Sequence, residues 1–223
     1  MGRTMRGFLG GAWMQRALWA VVLALPMGCQ QNSLWSLLPD ETSPAEYPLQ
    51  LSEGAKKDRD LVVGVFVSCS GVVGPAFATC DEKLASEITQ KLPRLAQESS
   101  HPTRLNVLNT FQINKFKLNT PNWQKLRPVE WGQALGADFI LNVRIDALSL
   151  YRPGAVNKLY DGLAEASVDV YDVQASPQPR YHYICLLRYP NGEPIDSTQV
   201  PEHRFKQSLL EMLALEICLK HVR

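Results

Sequence analysis

Histidine is scarce in this chain, with four copies in 223 residues, and each absence around it closes a class of chemistry. None of His101, His182, His203 or His221 stands at metal-ligand spacing from another histidine or a cysteine, so no metal site is expected. His182 and Cys185 share one stretch, but their offset puts them on opposite faces of a strand. Gly64, Gly71 and Gly74 lack the Lys-Ser/Thr of a phosphate loop, and Gly64 falls inside an apolar strand pattern; no nucleotide or other cofactor is expected. Charge of either sign is close to balance, 23 Lys and Arg against 22 Asp and Glu, which excludes a chain-wide attraction to nucleic acid. After residue 29 no apolar run approaches the length of a membrane-spanning helix.

What is present is concentrated at the amino terminus. Arg3, Arg6 and Arg16 precede the apolar stretch Ala17–Pro26, which is followed by Met27-Gly28-Cys29 and the polar Gln30-Gln31-Asn32-Ser33. A basic leader with a short apolar core has the layout of a secretory signal peptide, too short to span a bilayer at ~20 residues. A plain secretory signal prefers small residues one and three places before the cut, a pattern that Pro26 fits badly. The ending resembles the lipobox of bacterial lipoproteins, in which signal peptidase cuts before a cysteine bearing a diacylglycerol. One departure stands out: Leu25 lies four places before the cysteine instead of three, with Pro26 and Met27 between. The resemblance implies a signal peptide over 1–28 and a lipidated Cys29 that holds the mature chain to a membrane by its palmitate-type acyl groups. Gln30, where inner-membrane lipoproteins have Asp, implies the outer membrane, facing the periplasm; the outer leaflet of the inner membrane and secretion stay open.

Residues 29–59 read as a flexible tether, with Pro39, Pro44 and Pro48 among polar residues and no sustained period. A single globular domain is expected over 60–223. Its first strand is Leu61–Val67, β-branched and apolar throughout, as in a strand covered on both faces. Thr79 and Glu82 form a candidate capping box for a helix over about 80–97, within which Pro93 predicts a kink or an early end. A strand over 104–109, a loop over 110–122 and a helix over 122–135 closed by Gly136 follow. Strands are then predicted over 138–147, 162–173 and 181–187, and a last helix from Pro201 to about His221 whose apolar residues cover more than one face. This order predicts an α/β (α+β) fold: a mixed sheet of about five strands, parallel in its first half and antiparallel in its second, with two or three packed helices including a long C-terminal one.

The phrase Trp131-Gly-Gln-Ala-Leu-Gly-Ala-Asp-Phe-Ile-Leu-Asn-Val-Arg144, together with the order of elements, resembles a group of envelope proteins. The group comprises curli-secretion-channel-type lipoproteins, lipoproteins that activate peptidoglycan synthases, and the amino-terminal domain of the Tol-system translocation protein. The resemblance implies a non-catalytic module that docks onto envelope machinery. Long transmembrane insertions of the channel type are not evident. Gly136, Ala137 and Asp138 also suit any helix-to-strand corner.

Two sets of side chains remain as candidate sites. Cys69 and Cys80 flank a Gly/Pro-containing loop and are the first candidates for a disulfide among the three pairings that Cys69, Cys80, Cys185 and Cys218 allow. A thiolate there would be needed for a thiol enzyme, and no orienting third group is identifiable. Residues 99–129 contain no Asp or Glu but carry Arg104, Lys115, Lys117, Lys125 and Arg127, interleaved with Phe111, Phe116 and Trp123. That stretch suits anionic lipid headgroups, an acidic cell-wall polymer or an acidic protein face, or else it is a solvated surface with Trp123 tucked into the core. The expectation is a membrane-anchored lipoprotein, not an enzyme, that binds or assembles an envelope protein partner, with a homo-oligomer allowed and no nucleic acid. The alternatives are an accessory lipid-binding lipoprotein of a transporter and an anchored thiol hydrolase.

Overall fold

The apolar run that opens the body forms strand β1 (Leu61–Cys69), near one side of a sheet with helices on both faces. The computed structural model describes residues 45–50, 59–70, 73, 77–99, 102–152 and 158–222; Cys29 and the leader lie outside them. Around β1 come α1 (Cys80–Glu98), β2 (Leu105–Val107), α2 (Thr110–Asn119), a 3-10 turn (Trp123–Lys125) and α3 (Pro128–Leu135). Then follow β3 (Phe139–Tyr151), β4 (Leu159–Asp172), β5 (Tyr181–Tyr189), β6 (Ile195–Asp196) and α4 (Glu202–Leu219). The strands lie in the order β2-β1-β3-β4-β5, with β6 on β4. β1 runs parallel to β2 and β3, while β3, β4 and β5 are antiparallel neighbours. This is the mixed α+β architecture expected, with four α-helices among the described residues, the long C-terminal one included.

Register aligns Val63 with Phe139, Val65 with Leu141 and Val67 with Val143; Val143 is opposite Val168, which is opposite Tyr183. These residues share one face, on which α1 and α4 pack against each other and the sheet. Leu84, Ile88 and Leu92 of α1 and Leu209, Leu213 and Ile217 of α4 are fully buried there. α2, the 3-10 turn and α3 cover part of the opposite face, where Phe66, Ile113, Phe116, Trp131, Ile140 and Val173 form a second cluster.

The corner at Leu135-Gly-Ala-Asp138 has a local cause. Gly136 takes a left-handed φ of 66° at the C-cap, and Ala137 is buried where α3 meets β3. The buried Asp138 carboxylate accepts from the Val62 backbone N–H at 2.9 Å and pairs with Arg59, pinning the corner to the start of β1.

Four local expectations need correction. Residues 110–122 are not a loop: Asn109 ends the strand pattern because it is the N-cap of α2, exchanging bonds of 2.8 and 3.0 Å with Gln112 in a capping box. The helix expected over 122–135 is broken, because Arg127 precedes a proline and is held extended at ψ 149°; Pro128 then begins α3. Thr79 does cap α1, but at ψ 22° its side chain makes no cap bond. Of the kink or early end expected at Pro93, the early end does not occur, since the fully buried Leu92 and Ala96 hold α1 in place through Glu98.

The stretch read as tether is also partly packed. Tyr47 donates its backbone N–H to the Lys220 carbonyl at 2.8 Å and stacks on Tyr183 at 4.5 Å, and Leu49 is buried. Residues 45–50 therefore belong to the body.

Candidate functional site

Three surfaces carry chemistry that the core does not consume. The first is the far edge of the sheet. Among the described residues β5 pairs only with β4, so its other edge presents unpaired backbone groups, a ready template for a further strand. Outward-facing residues of β5 are His182, Ile184, Leu186 and Arg188, opposite Asp169, Ser167, Glu165 and Leu163 of β4. Leu186 is 66% exposed, Ile184 54% and Leu163 45%, an apolar centre that natural edge strands usually blunt with charge. Polar groups frame it. Arg188 grips the buried Asp161 carboxylate through two bonds of 2.7 and 2.6 Å, and Arg152 adds a third at 3.1 Å. The Arg188 bonds, reinforced by Arg152 against burial, hold the Asp161 carboxyl below its ordinary range. At the other end His182 Nδ1 lies 2.6 Å from Asp169. Burial works to raise the Asp146 carboxyl, and its bonds from Ser167 and Arg144 outweigh that and lower it.

The second surface is α2 with the turn after it. Ile113 and Phe116 face the core, leaving Phe111, Lys115 and Leu118 together on the opposite side at helical spacing. Phe111 is 73% exposed and Leu118 84%. The basic residues predicted as one patch divide here. Lys115, Lys125 and Arg127 are exposed, and Arg127 pairs with Glu130. Lys117 is half-buried over the rings of Trp123 and Phe66, 5.0 and 5.6 Å from their centroids. Burial lowers the Lys117 pKa, with Asp81 and Glu82 opposing. Trp123 packs against the second cluster, and its carbonyl accepts from the Trp131 indole at 2.9 Å. Arg104 is exposed at the start of β2, on a different element.

The third lies at the carboxyl ends of the parallel strands. β2 stops opposite Val63, so beyond it the edge of β1 opens into a cleft of about 130 Å³ lined by Val65, Val67, Asp81, Glu82, Ile113 and Lys117. Nearby, Cys69 at the end of β1 and Cys80 at the start of α1 bring their sulfurs to 2.6 Å, closer than unbonded sulfurs rest. Burial, and then Cys69, pushes the Cys80 thiol up to about 12, the opposite of what a nucleophile needs. Cys185 and Cys218 are buried free thiols, and burial raises both.

The basic stretch is visible in the sequence; the outward Ile184 and Leu186 of β5 are not marked there as a surface. A signal existed, because Tyr181–Tyr189 is apolar at both parities in its centre, with Tyr183, Cys185 and Leu187 inward and Ile184 and Leu186 outward.

No family model matches the chain, and no curated protein does. Solved structures overlap it loosely. One is the PelC dodecamer from Paraburkholderia phytofirmans, at 10% identity over 74% of this chain and 89% of that one, with a TM-score of 0.43. Another is lipoprotein GNA1162 from Neisseria meningitidis, at 12% identity over 71% and 95%, with a TM-score of 0.42. A third is the hypothetical protein CT253 from Chlamydia trachomatis, at 17% identity over 72% and 96%, with a TM-score of 0.40. Overlaps this loose bear on neither function nor partners.

Proposed function

We propose that this chain is an envelope lipoprotein, held by acyl groups on Cys29 to the outer membrane on its periplasmic side, whose domain binds a protein partner without catalysis. The leader and the Cys29 context support the anchor. One observation carries the binding: the nine-residue edge strand β5 presents Ile184 and Leu186 to solvent in a polar frame. A partner strand laid along it satisfies the open backbone groups, and the two outward apolar side chains set register and specificity. The Cys69 and Cys80 sulfurs, 2.6 Å apart, support the non-catalytic reading, because two thiols so placed are set to pair with each other and not to serve as a nucleophile.

Site-specific photo-crosslinking in intact cells tests this. A crosslinker replacing Leu186 is expected to trap one defined protein, and Ile184→Glu is expected to abolish that product while leaving the circular dichroism spectrum unchanged. Trapping only of lipid, or of a product indifferent to Ile184→Glu, would refute it.

A further inference from the structure

The exposed side of α2 has no role in the packing of the domain or in the proposed partner edge. A helix covered on one face normally turns charge to water on the other, yet α2 presents Phe111 and Leu118 with Lys115 between them. The capping box fixes the start of the helix, and Ile113 with Phe116 fixes its roll. The two apolar side chains are therefore held outward. The following turn adds Lys125 and the partly exposed Leu126. Residues 99–129 contain no Asp or Glu, and among the described residues no ion pair engages Lys115 or Lys125.

From this placement we infer that the outer face of α2 docks on an anionic phospholipid bilayer, with Phe111 and Leu118 dipping into the interface and Lys115 and Lys125 meeting headgroup phosphates. Charge complementarity selects the occupant. Asp81 and Glu82 lie on the Lys117 side of α2. The side of Phe111, Lys115 and Leu118 brings a cation and no carboxylate of its own, which favours a polyanion. The protruding phenylalanine and leucine need an apolar layer beneath that anion, which a soluble polymer lacks. An acyl anchor alone does not select which face of the domain meets the lipid. A second contact at α2 fixes which side of the domain faces the lipid.

The test uses the exported, processed full chain with Phe111→benzoylphenylalanine, irradiated on vesicles of phosphatidylcholine with or without phosphatidylglycerol. A lipid adduct at position 111 is expected on the anionic vesicles. Lys115→Gln and Lys125→Gln are each expected to lower its yield roughly fivefold, the effect of one basic residue near an anionic surface. Leu186→benzoylphenylalanine serves as the control for mere proximity. Equal lipid adduct yields at 111 and 186, no lipid adduct at 111, or indifference to phosphatidylglycerol each overturn the inference. Failure of the Cys29 anchor reads differently: the amino terminus is unmodified while the adduct at 111 persists.

Discussion

Lowering the pH from 6.5 to 5 is expected to destabilise the fold through one buried side chain, His221. Its ring is 3% exposed, with Nδ1 2.8 Å from the Tyr47 carbonyl and Nε2 2.9 Å from the Tyr183 hydroxyl. The neutral tautomer with a proton on Nδ1 satisfies all three groups: Nδ1–H donates to the carbonyl, and Nε2 accepts from the tyrosine. Burial lowers the pKa from 6.5 to about 4, against the favourable carbonyl and with the help of Lys220. Below pH 6.5 the unfolded chain therefore takes up a proton that the folded one refuses. Stability falls as pH falls, and levels off only near the folded-state value. At about 1.4 kcal/mol per pH unit the whole window amounts to roughly 3 kcal/mol, of which roughly 2 kcal/mol falls between pH 6.5 and 5. Asp146, Asp161 and Glu202, whose folded-state values are lowered, are stabilising above the carboxylate range and lose that contribution only at more acid pH. Urea unfolding followed by circular dichroism at fixed pH values measures the slope, and His221→Gln is expected to flatten it. A wild-type stability unchanged from pH 6.5 to 5, or an undiminished slope in His221→Gln, would refute the reasoning.

Two further perturbations test packing and thiol chemistry. A Cβ on Gly132 would lie 2.3 Å from Val173 Cγ2 and 3.2 Å from Ile140 Cγ1, so Gly132→Ala is expected to cost about 1–3 kcal/mol by chemical denaturation despite alanine's better helix propensity; a stabilised variant would show that this corner is slack. Cys69 and Cys80 are expected to join in an oxidising compartment, so that thiol titration of the denatured exported protein finds Cys185 and Cys218 alone. Reduction should then lower stability by about 2–4 kcal/mol, and reactive Cys69 and Cys80 in the exported protein would contradict this.

Where a segment's apolar period matched its burial, the sequence was readable. Ala164, Ala166, Val168 and Val170 alternate with polar neighbours, and all four are fully buried in β4. The parallel-then-antiparallel order followed from element spacing alone. α2 was missed because its exposed face carries Phe111 and Leu118, so apolar residues fall on both sides and no helical stripe emerges. Its start was nonetheless encoded in Asn109 and Gln112, a capping box without serine or glutamate. The 3-10 turn hid for a different reason. Leu126-Arg127-Pro128 interrupts what reads as continuous helix, and only the proline's effect on Arg127 marks the break. The same two-sided apolarity marks both proposed contact surfaces, α2 and β5: a side chain that serves a partner rather than the core spoils the period by which elements are read.

Whether a lipid is bonded to one particular sulfur decides the rest, and intact-mass analysis of the protein purified from its own membranes answers it. The expected species begins at Cys29 and carries the added mass of a diacylglycerol thioether. A mature chain with an unmodified first residue, recovered from the medium, would contradict the proposal.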